Sequence, residues 1–364
     1  MEAASVRYIG IDLGKRSMEV HFIRANDKHE SWSCKTDVEA RARLLRKLLP
    51  SDIVAMEACP LAFLLEAMIR KQVGATVHVL NPLGLAMIYR STKKTDREDA
   101  AKLAWVIQRL PEPELPKVTV PTEQEQELRY LVAEQVGLTQ SRTREINRLH
   151  ALFVQDGITT VTKKDLRSAD GRRTQYELLS PTFRDRAQRL DRVIASFEQN
   201  LEEVEAGLRA LVAGHELTPF LMSIPGVGPN LAAAFLGFLG NGERFQRKTI
   251  ASYAGLVPRV DCSGDQNHYG PITKRGNNLL RRALVQGAWG LARSTHGGVL
   301  QKKYLQWKDA KGKSKAIVAL ARKLIETMWV LATQKALYLD LDPVKYTRKL
   351  EFYGINQGGV AGVA

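Results

Sequence analysis

Four carboxylates stand where a sheet fold can gather them. Asp12 ends an apolar run in IGIDLGK, Glu57 ends another in VAMEA, and Asp96 and Asp99 open a helical stretch in KKTDREDA. The i, i+3 spacing of the last two places both on one helical face. Clustered carboxylates repel one another unless a cation sits among them, and hard oxygen donors select Mg²⁺ or Mn²⁺. Two such ions about 4 Å apart are a standard device for cutting or joining phosphodiesters. Each acid alone has an ordinary role: Asp96 as a helix N-cap, Asp99 as a first-turn acid favoured by the helix dipole, Glu57 as a solvated strand end. Asp12 is the hardest to explain that way, because an acid in an apolar strand is costly without a partner.

A second set of candidates lies in the last third of the chain. Ser223 to Phe235 reads SIPGVGPNLAAAF, a helix-hairpin-helix-like pattern. Gly226 and Gly228 there would let backbone N–H groups approach a phosphate, with the next helix presenting its N-terminus. The competing reading is a tight turn between two core helices. Tyr253 to Leu284 then reads YAGLVPRVDCSGDQNHYGPITKRGNNLLRRAL. A serine nucleophile needs a base, a metal or a cationic setting. For Ser263 that setting is offered by Lys274, Arg275, Arg281 and Arg282, which can also grip the attacked phosphate. Cys262 is a rival nucleophile and His268 is near enough to serve as a base. Ser-Gly by itself is usually only a turn. In the first domain, Asp12-Leu13-Gly14-Lys15 also looks like the first phosphate loop of actin-like and sugar-kinase ATPases, but no second glycine-rich loop follows in an equivalent setting.

Charge points to the partner. The chain has 364 residues, with 54 Lys and Arg against 39 Asp and Glu, a net +15, and a pI near 9.7. From Pro271 to Lys323 there are thirteen Lys or Arg and one acid, Asp309. The set includes Lys274, Arg275, Arg281, Arg282, Lys302, Lys303, Lys311 and Lys313. So one-sided a block calls for a polyanion, and nucleic acid is the expected partner; a basic surface with no specific ligand is the alternative. Apolar residues make up 44% and charged ones 26%, an ordinary globular composition. The longest clean apolar run, Leu231 to Gly240, is ten residues, far short of the ~20 that a membrane span needs. Cys34, Cys59 and Cys262 form no C-x-x-C pair, so neither a disulfide framework nor a zinc site is indicated. No secretory leader pattern opens the chain, and a cytoplasmic location is expected.

Several elements must position these residues. Ser5 to Leu13, Met18 to Arg24 and His29 to Cys34 read as a strand meander. Helices over Val38 to Leu49, Leu61 to Gln72 and Arg97 to Leu110 alternate with strands over Ser51 to Met56 and Ala75 to Leu80. That order predicts an α/β layer with a mixed sheet over 1–110. Four prolines in 111–121 predict an extended linker. Glu123 to Gln155 and Arg184 to Ala213 read as long charged helices of an antiparallel coiled-coil arm over 122–215, with Gln135 and Arg142 interrupting the first seam. Thr162 to Arg184, between them, reads as a polar, basic loop that is mobile or faces RNA. A mostly helical domain is expected over 216–342, and a C-terminal tail over 343–364 that is disordered after Tyr353.

Taken together, GIDLGK, MEA, KKTDREDA, IPGVGPNLAAAFL and YAGLVPRVDCSG…ITKRGNNLLRRAL resemble the IS-one-ten family of insertion-sequence transposases, the bridge-RNA-guided recombinases, over roughly Tyr8 to Met328. The resemblance implies an RNase H-like (RuvC-like) domain with Asp12, Glu57, Asp96 and Asp99 as its metal-binding catalytic acids. It implies a coiled-coil arm and a transposase domain whose serine nucleophile falls on Ser263. The family's Ile-x-Lys-x-Gly…Leu-Arg motif falls on Ile272, Lys274, Gly276, Leu280 and Arg281. Ala58-Cys59-Pro60 departs from the small or hydroxyl residue and glycine usual after the glutamate. Donor and target DNA, a structured guide RNA, Mg²⁺ (or Mn²⁺) and a dimer or tetramer working at the bacterial nucleoid are the implied partners and setting. Two alternatives belong to other classes: a metal-only, structure-selective junction nuclease needing no serine, and a non-catalytic nucleic-acid-binding protein.

Overall fold

In this computed structural model the described residues are 6–24, 26–88, 95–263 and 266–355; of 261–263 and 266–269 only the backbone is described. The chain divides into two compact units, up to Pro121 and from Thr122 onward.

The first unit is a mixed α/β layer. Strands β1 (Tyr8–Leu13), β2 (Ser17–Ile23) and β3 (His29–Lys35) form the meander; α1 (Val38–Lys47), β4 (Ile53–Glu57), α2 (Pro60–Gln72), β5 (Thr76–Leu80), α3 (Pro82–Ile88) and α4 (Asp96–Arg109) follow. The sheet order is β3-β2-β1-β4-β5. β1 is antiparallel to β2 and parallel to β4. Ile9, Ile11, Val54 and Met56 alternate into one core with Leu44, Leu65 and Ile69 of α1 and α2. On the other face, Leu103, Val106 and Ile107 of α4 pack with Ala55 and Leu80.

Residues 111–121 differ from the expected extended linker. Leu115 is buried with α4. Its neighbours pair along the edge of β5: Asn81 N–H donates to the Pro116 carbonyl and Val118 N–H to that of Val79, both at 2.7 Å. Proline lacks an N–H but still accepts through its carbonyl, so the segment can line a sheet edge.

The second unit opens with α5 (Glu123–Gln155), continues through α6 (Ala169–Tyr176) to α7 (Pro181–Ala213), and α5 and α7 pack side by side. Thr122 and Glu125 form a capping box at the start of α5. The segment expected to be a loose loop is instead folded onto the helix pair. Leu166, Tyr176 and Leu179 join Ile146, Leu149, Phe153, Ala187 and Ile194 in a small core. Arg172, 1% exposed, donates to both Asp191 and Glu198 of α7. A basic sequence looks solvated until its acidic partners, 19 and 26 residues away, are brought beside it.

Beyond the arm come α8 (Thr218–Met222), α9 (Pro229–Leu239), α10 (Ile250–Tyr253), β6 (Pro258–Ser263), β7 (Gln266–Ile272), α11 (Asn278–Arg293), α12 (Gly298–Lys311), α13 (Lys313–Gln334) and α14 (Pro343–Tyr353). The apolar run 231–240 is a core helix: every α9 residue but Asn230 is buried, as a helix apolar on all sides must be. No helix among the described residues is long and apolar enough to cross a membrane. Two expectations change. The domain contains a two-stranded hairpin, β6-β7. Residues 343–353 are the helix α14 rather than tail, because Tyr346 and Leu350 are buried in the main core and Lys349 donates to the carbonyls of Met222 and Ile224. The expected disorder of 356–364 lies outside the described residues.

Removing one partner of a buried ion pair costs about 3–5 kcal/mol. Arg172→Met should therefore loosen the tip of the arm by that order while sparing the rest. Hydrogen exchange should show faster exchange in 146–153 and 166–194, with protection in α9 unchanged; unchanged exchange at the tip would refute the pairing.

Candidate active site and nucleic-acid interface

The acids are gathered by three features of the first unit. The first is register: the last parallel pair of β1 and β4 is Ile11 with Met56, and Asp12 and Glu57 are the next residue of each strand. The second is the antiparallel pair Asp12 with Glu19 on β2. The third is the close approach of α4. A Cβ on Gly10 would sit 1.9 Å from the Ala100 carbonyl oxygen and 2.5 Å from Ala104 N. Only glycine lets the helix lie this close, and the helix starts at Asp96, capped by the Thr95 hydroxyl, which accepts from Glu98 N–H.

The electrostatics record the outcome. The Asp12 carboxyl is pushed up to about 6, first by partial burial and then by the charges of Asp96, Asp99, Glu57 and Glu19. Glu57, Asp96 and Asp99 therefore all lie within range of the Asp12 charge, and Glu19 joins them. Its signal is cross-strand register, which a linear motif does not display. A cation already sits at one edge: Lys102 Nζ is 2.7 Å from Asp99. Among the described residues no three His, Cys, Asp or Glu side chains close around one point as metal ligands. The donors are hard oxygens whose mutual repulsion a divalent cation would relieve, and in that chemical sense they fit Mg²⁺ or Mn²⁺.

In the second unit, the Ser263 backbone is the last position of β6, paired in register with Gln266; Cys262 pairs with Asn267 and Asp261 with His268. The three candidates Cys262, Ser263 and His268 thus share one hairpin, and their side chains lie outside the described residues. Gly264 lies wholly outside them. Gly276, of the motif after the hairpin, takes φ +129° and packs against the Tyr253 carbonyl.

Gly226 and Gly228 have different settings. Gly226 has φ +82°, and a Cβ there would sit 2.4 Å from Leu291 N and 2.6 Å from the Gly287 carbonyl. It is the contact point of a turn against α11, which accounts for the residue without a phosphate. Gly228 is the N-cap of α9.

The basic block sorts into held and displayed cations. Arg281 donates to the Ala254 carbonyl, and Arg322 and Lys323 both pair with Glu326. Lys274, Arg275, Lys302, Lys303, Lys311 and Lys313 are exposed, and Arg282 is half-buried. Lys311 and Lys313 lie over the rings of Trp307 and Trp289, at 4.9 and 5.1 Å. The first turn of α13 contains no acid, although the helix dipole disfavours lysine there; an anion would reverse that penalty.

Residues 218–305 match the family model described as Transposase IS116/IS110/IS902 family. Residues 9–156 match the IS110 DEDD transposase model. The chain carries transposase domains of the IS110/IS116/IS902 family. The transposase for insertion sequence element IS1328 of Yersinia enterocolitica is 27% identical, over 92% of this chain and 99% of its own. The transposase for insertion sequence element IS1111A of Coxiella burnetii is 29% identical, over 69% and 70%. The insertion element IS110 43.6 kDa protein of Streptomyces coelicolor is 26% identical, over 91% and 95%. As a transposase of this family the chain acts on DNA, and the first matched segment holds all four acids.

Two predictions concern this transposase. Asp12 has a folded pKa near 6, above its ordinary value of 3.8, so its ionisation opposes folding: stability is lost as pH rises from about 4 through 6. Asp12→Asn should raise the melting temperature at pH 7.5 and flatten that fall; Mg²⁺ should stabilise the wild type more than the variant. Calorimetry in chelator and in Mg²⁺ measures both, and a variant less stable at pH 7.5 would contradict the cluster. The displayed lysines should bind phosphates: if six or more are contacted, log Kd should change with log salt by several units, about 0.9 per phosphate. Replacing Lys302, Lys303, Lys311 and Lys313 together should reduce that slope; a nearly flat titration in the wild type argues against the interface.

Proposed function

We propose that this transposase excises and inserts a mobile element by RNA-guided cleavage and exchange of DNA strands, with an acidic metal site and a serine nucleophile. The observation that carries the reading is the convergence on Asp12 of Glu57, Asp96 and Asp99. Acids held together against their own repulsion suit a site completed by a cation. The first unit is read as RNase H-like: its mixed five-stranded sheet and its DEDD model match are consistent with that fold. A bound Mg²⁺ or Mn²⁺ would lower the charge on the scissile phosphate and favour ionisation of the attacking hydroxyl.

The chain's own residues do the rest. Asp12, Glu57, Asp96 and Asp99 would hold the ion. The Ser263 hydroxyl gives up its proton and forms an O–P bond as the strand oxygen leaves with a proton; the reverse step reseals to a new strand. Lys274 and Arg275 are exposed, follow the hairpin and grip the phosphate. In this reading a structured RNA pairs with donor and target, and acids and serine come from different protomers of a dimer or tetramer.

A denaturing gel with labelled DNA and copurified RNA tests the chemistry. Asp12→Asn and Ser263→Ala should each abolish the protein–DNA adduct, while Cys262→Ala and His268→Ala keep it. An adduct that persists in Ser263→Ala, or that maps to Cys262, would overturn the assignment. DNA cleavage without any adduct would favour a metal-only nuclease.

A further inference from the structure

The second unit contains a cleft of about 660 Å³ that none of these roles uses, bounded by α5, α7, the N-terminus of α9, α11 and the end of α14. Its chemistry is specific. Glu205 of α7 is half-buried, and its Oε1 accepts from Gln135 Nε2 and Asn230 Nδ2, both at 3.3 Å. Among the described residues its Oε2 has no partner. Arg209 and Arg282 line the same cleft, and neither pairs with a carboxylate among the described residues. At the rim stands Phe352, 81% exposed, edge-on to Tyr353 with ring centroids 4.9 Å apart.

We infer that this cleft binds one unpaired nucleotide of a nucleic-acid strand, and that it prefers a base bearing an exocyclic amino group. The inference rests on the reading of this chain as a nucleic-acid enzyme. An oriented carboxylate with a free oxygen accepts from an amino group and is repelled by the oxo group of uracil or thymine. Two uncommitted guanidiniums in the same cleft suit the phosphates on either side of such a base. An exposed aromatic ring at the mouth supplies a stacking plate that any base can use. The volume falls in the range of small-ligand pockets, enough for a nucleotide and too small for a duplex, so the base must be unpaired. Phe352 and Tyr353 end α14, the helix whose Tyr346 and Leu350 are buried in the core, which fixes the plate.

The test uses the full chain and fluorescence anisotropy with labelled C-only, T-only and U-only strands of roughly twelve nucleotides, as DNA and RNA, a mixed-sequence duplex, and free CMP as competitor. C strands should bind several-fold tighter than T or U strands, and Glu205→Gln should erase that preference. Phe352→Ala should weaken all single strands about ten-fold, as loss of one stacked base does, with Phe352→Tyr restoring them and duplex affinity unchanged. The better of the DNA and RNA arms names the strand. Equal affinity for C and T strands in the wild type, or a preference that survives Glu205→Gln, overturns the inference. CMP binding as tightly as the strand would assign the cleft to a free nucleotide and overturn it too. Duplex binding without base discrimination defeats the cleft alone, whereas no binding of strand or duplex defeats the underlying reading with it.

Discussion

The acidic site depends on one close contact, that of α4 with β1 at Gly10. A helix normally stands off a sheet by the length of the side chains between them. Here the Ala100 carbonyl lies where the Gly10 Cβ would be, and Ala100 and Ala104, one turn apart, are both buried. The contact lowers the first turn of α4, with Asp96 and Asp99, toward the end of β1. Mutual repulsion of the acids opposes this. The burial of Leu103, Val106 and Ile107 beneath the same helix stabilises it by about 1.5–3 kcal/mol per side chain. That sum exceeds what partly solvated charges lose to one another, so packing wins and the charges are held in a strained cluster.

Much of this was legible. Alternation along 18–24 and the short apolar runs at 53–57 and 76–80 locate the strands, because a half-buried sheet imposes period two and a buried one imposes continuous apolarity. Asp12 was conspicuous as an acid in an apolar run. Glu19 was not, because it reaches Asp12 only through the hairpin register. The glycines of IPGVG show the limit of a motif: Gly226 serves contact with α11, while the same spelling also describes phosphate-binding turns. Residues 162–184 and 343–353 misled for one reason. Their polar composition conceals a few anchors, Leu166, Arg172 and Tyr176 in one and Tyr346, Lys349 and Leu350 in the other, whose partners are distant in sequence.

The second unit separates framework from display. The apolar helix α9 is the spine, and α11 and α13 bury their inner faces around it. The cations then divide by what surrounds them. Those beside carbonyls or Glu326 are consumed by the framework. Among the described residues the lysines of α12 and the start of α13 find no such partner, and two of them lie over the rings of Trp307 and Trp289. A net charge thus overstates the cations that the surface displays, and the exposed subset is the better measure.

The arm has a mechanical consequence. Its two 33-residue helices each extend about 50 Å at 1.5 Å per residue. They are fastened at both ends by different cores: Leu128, Val132, Val204 and Leu208 at one end, Ile146, Leu149 and Ile194 at the other. Toward the middle, Arg142 lies 4.0 Å from Glu198 beside the buried Leu201, so the seam there is only partly apolar. Polar side chains exchange partners with water at little cost, so the mid-section is the compliant part of a strut with two rigid ends. Bending or torsion of the arm would concentrate there, letting the tip swing through an arc while both cores stay intact.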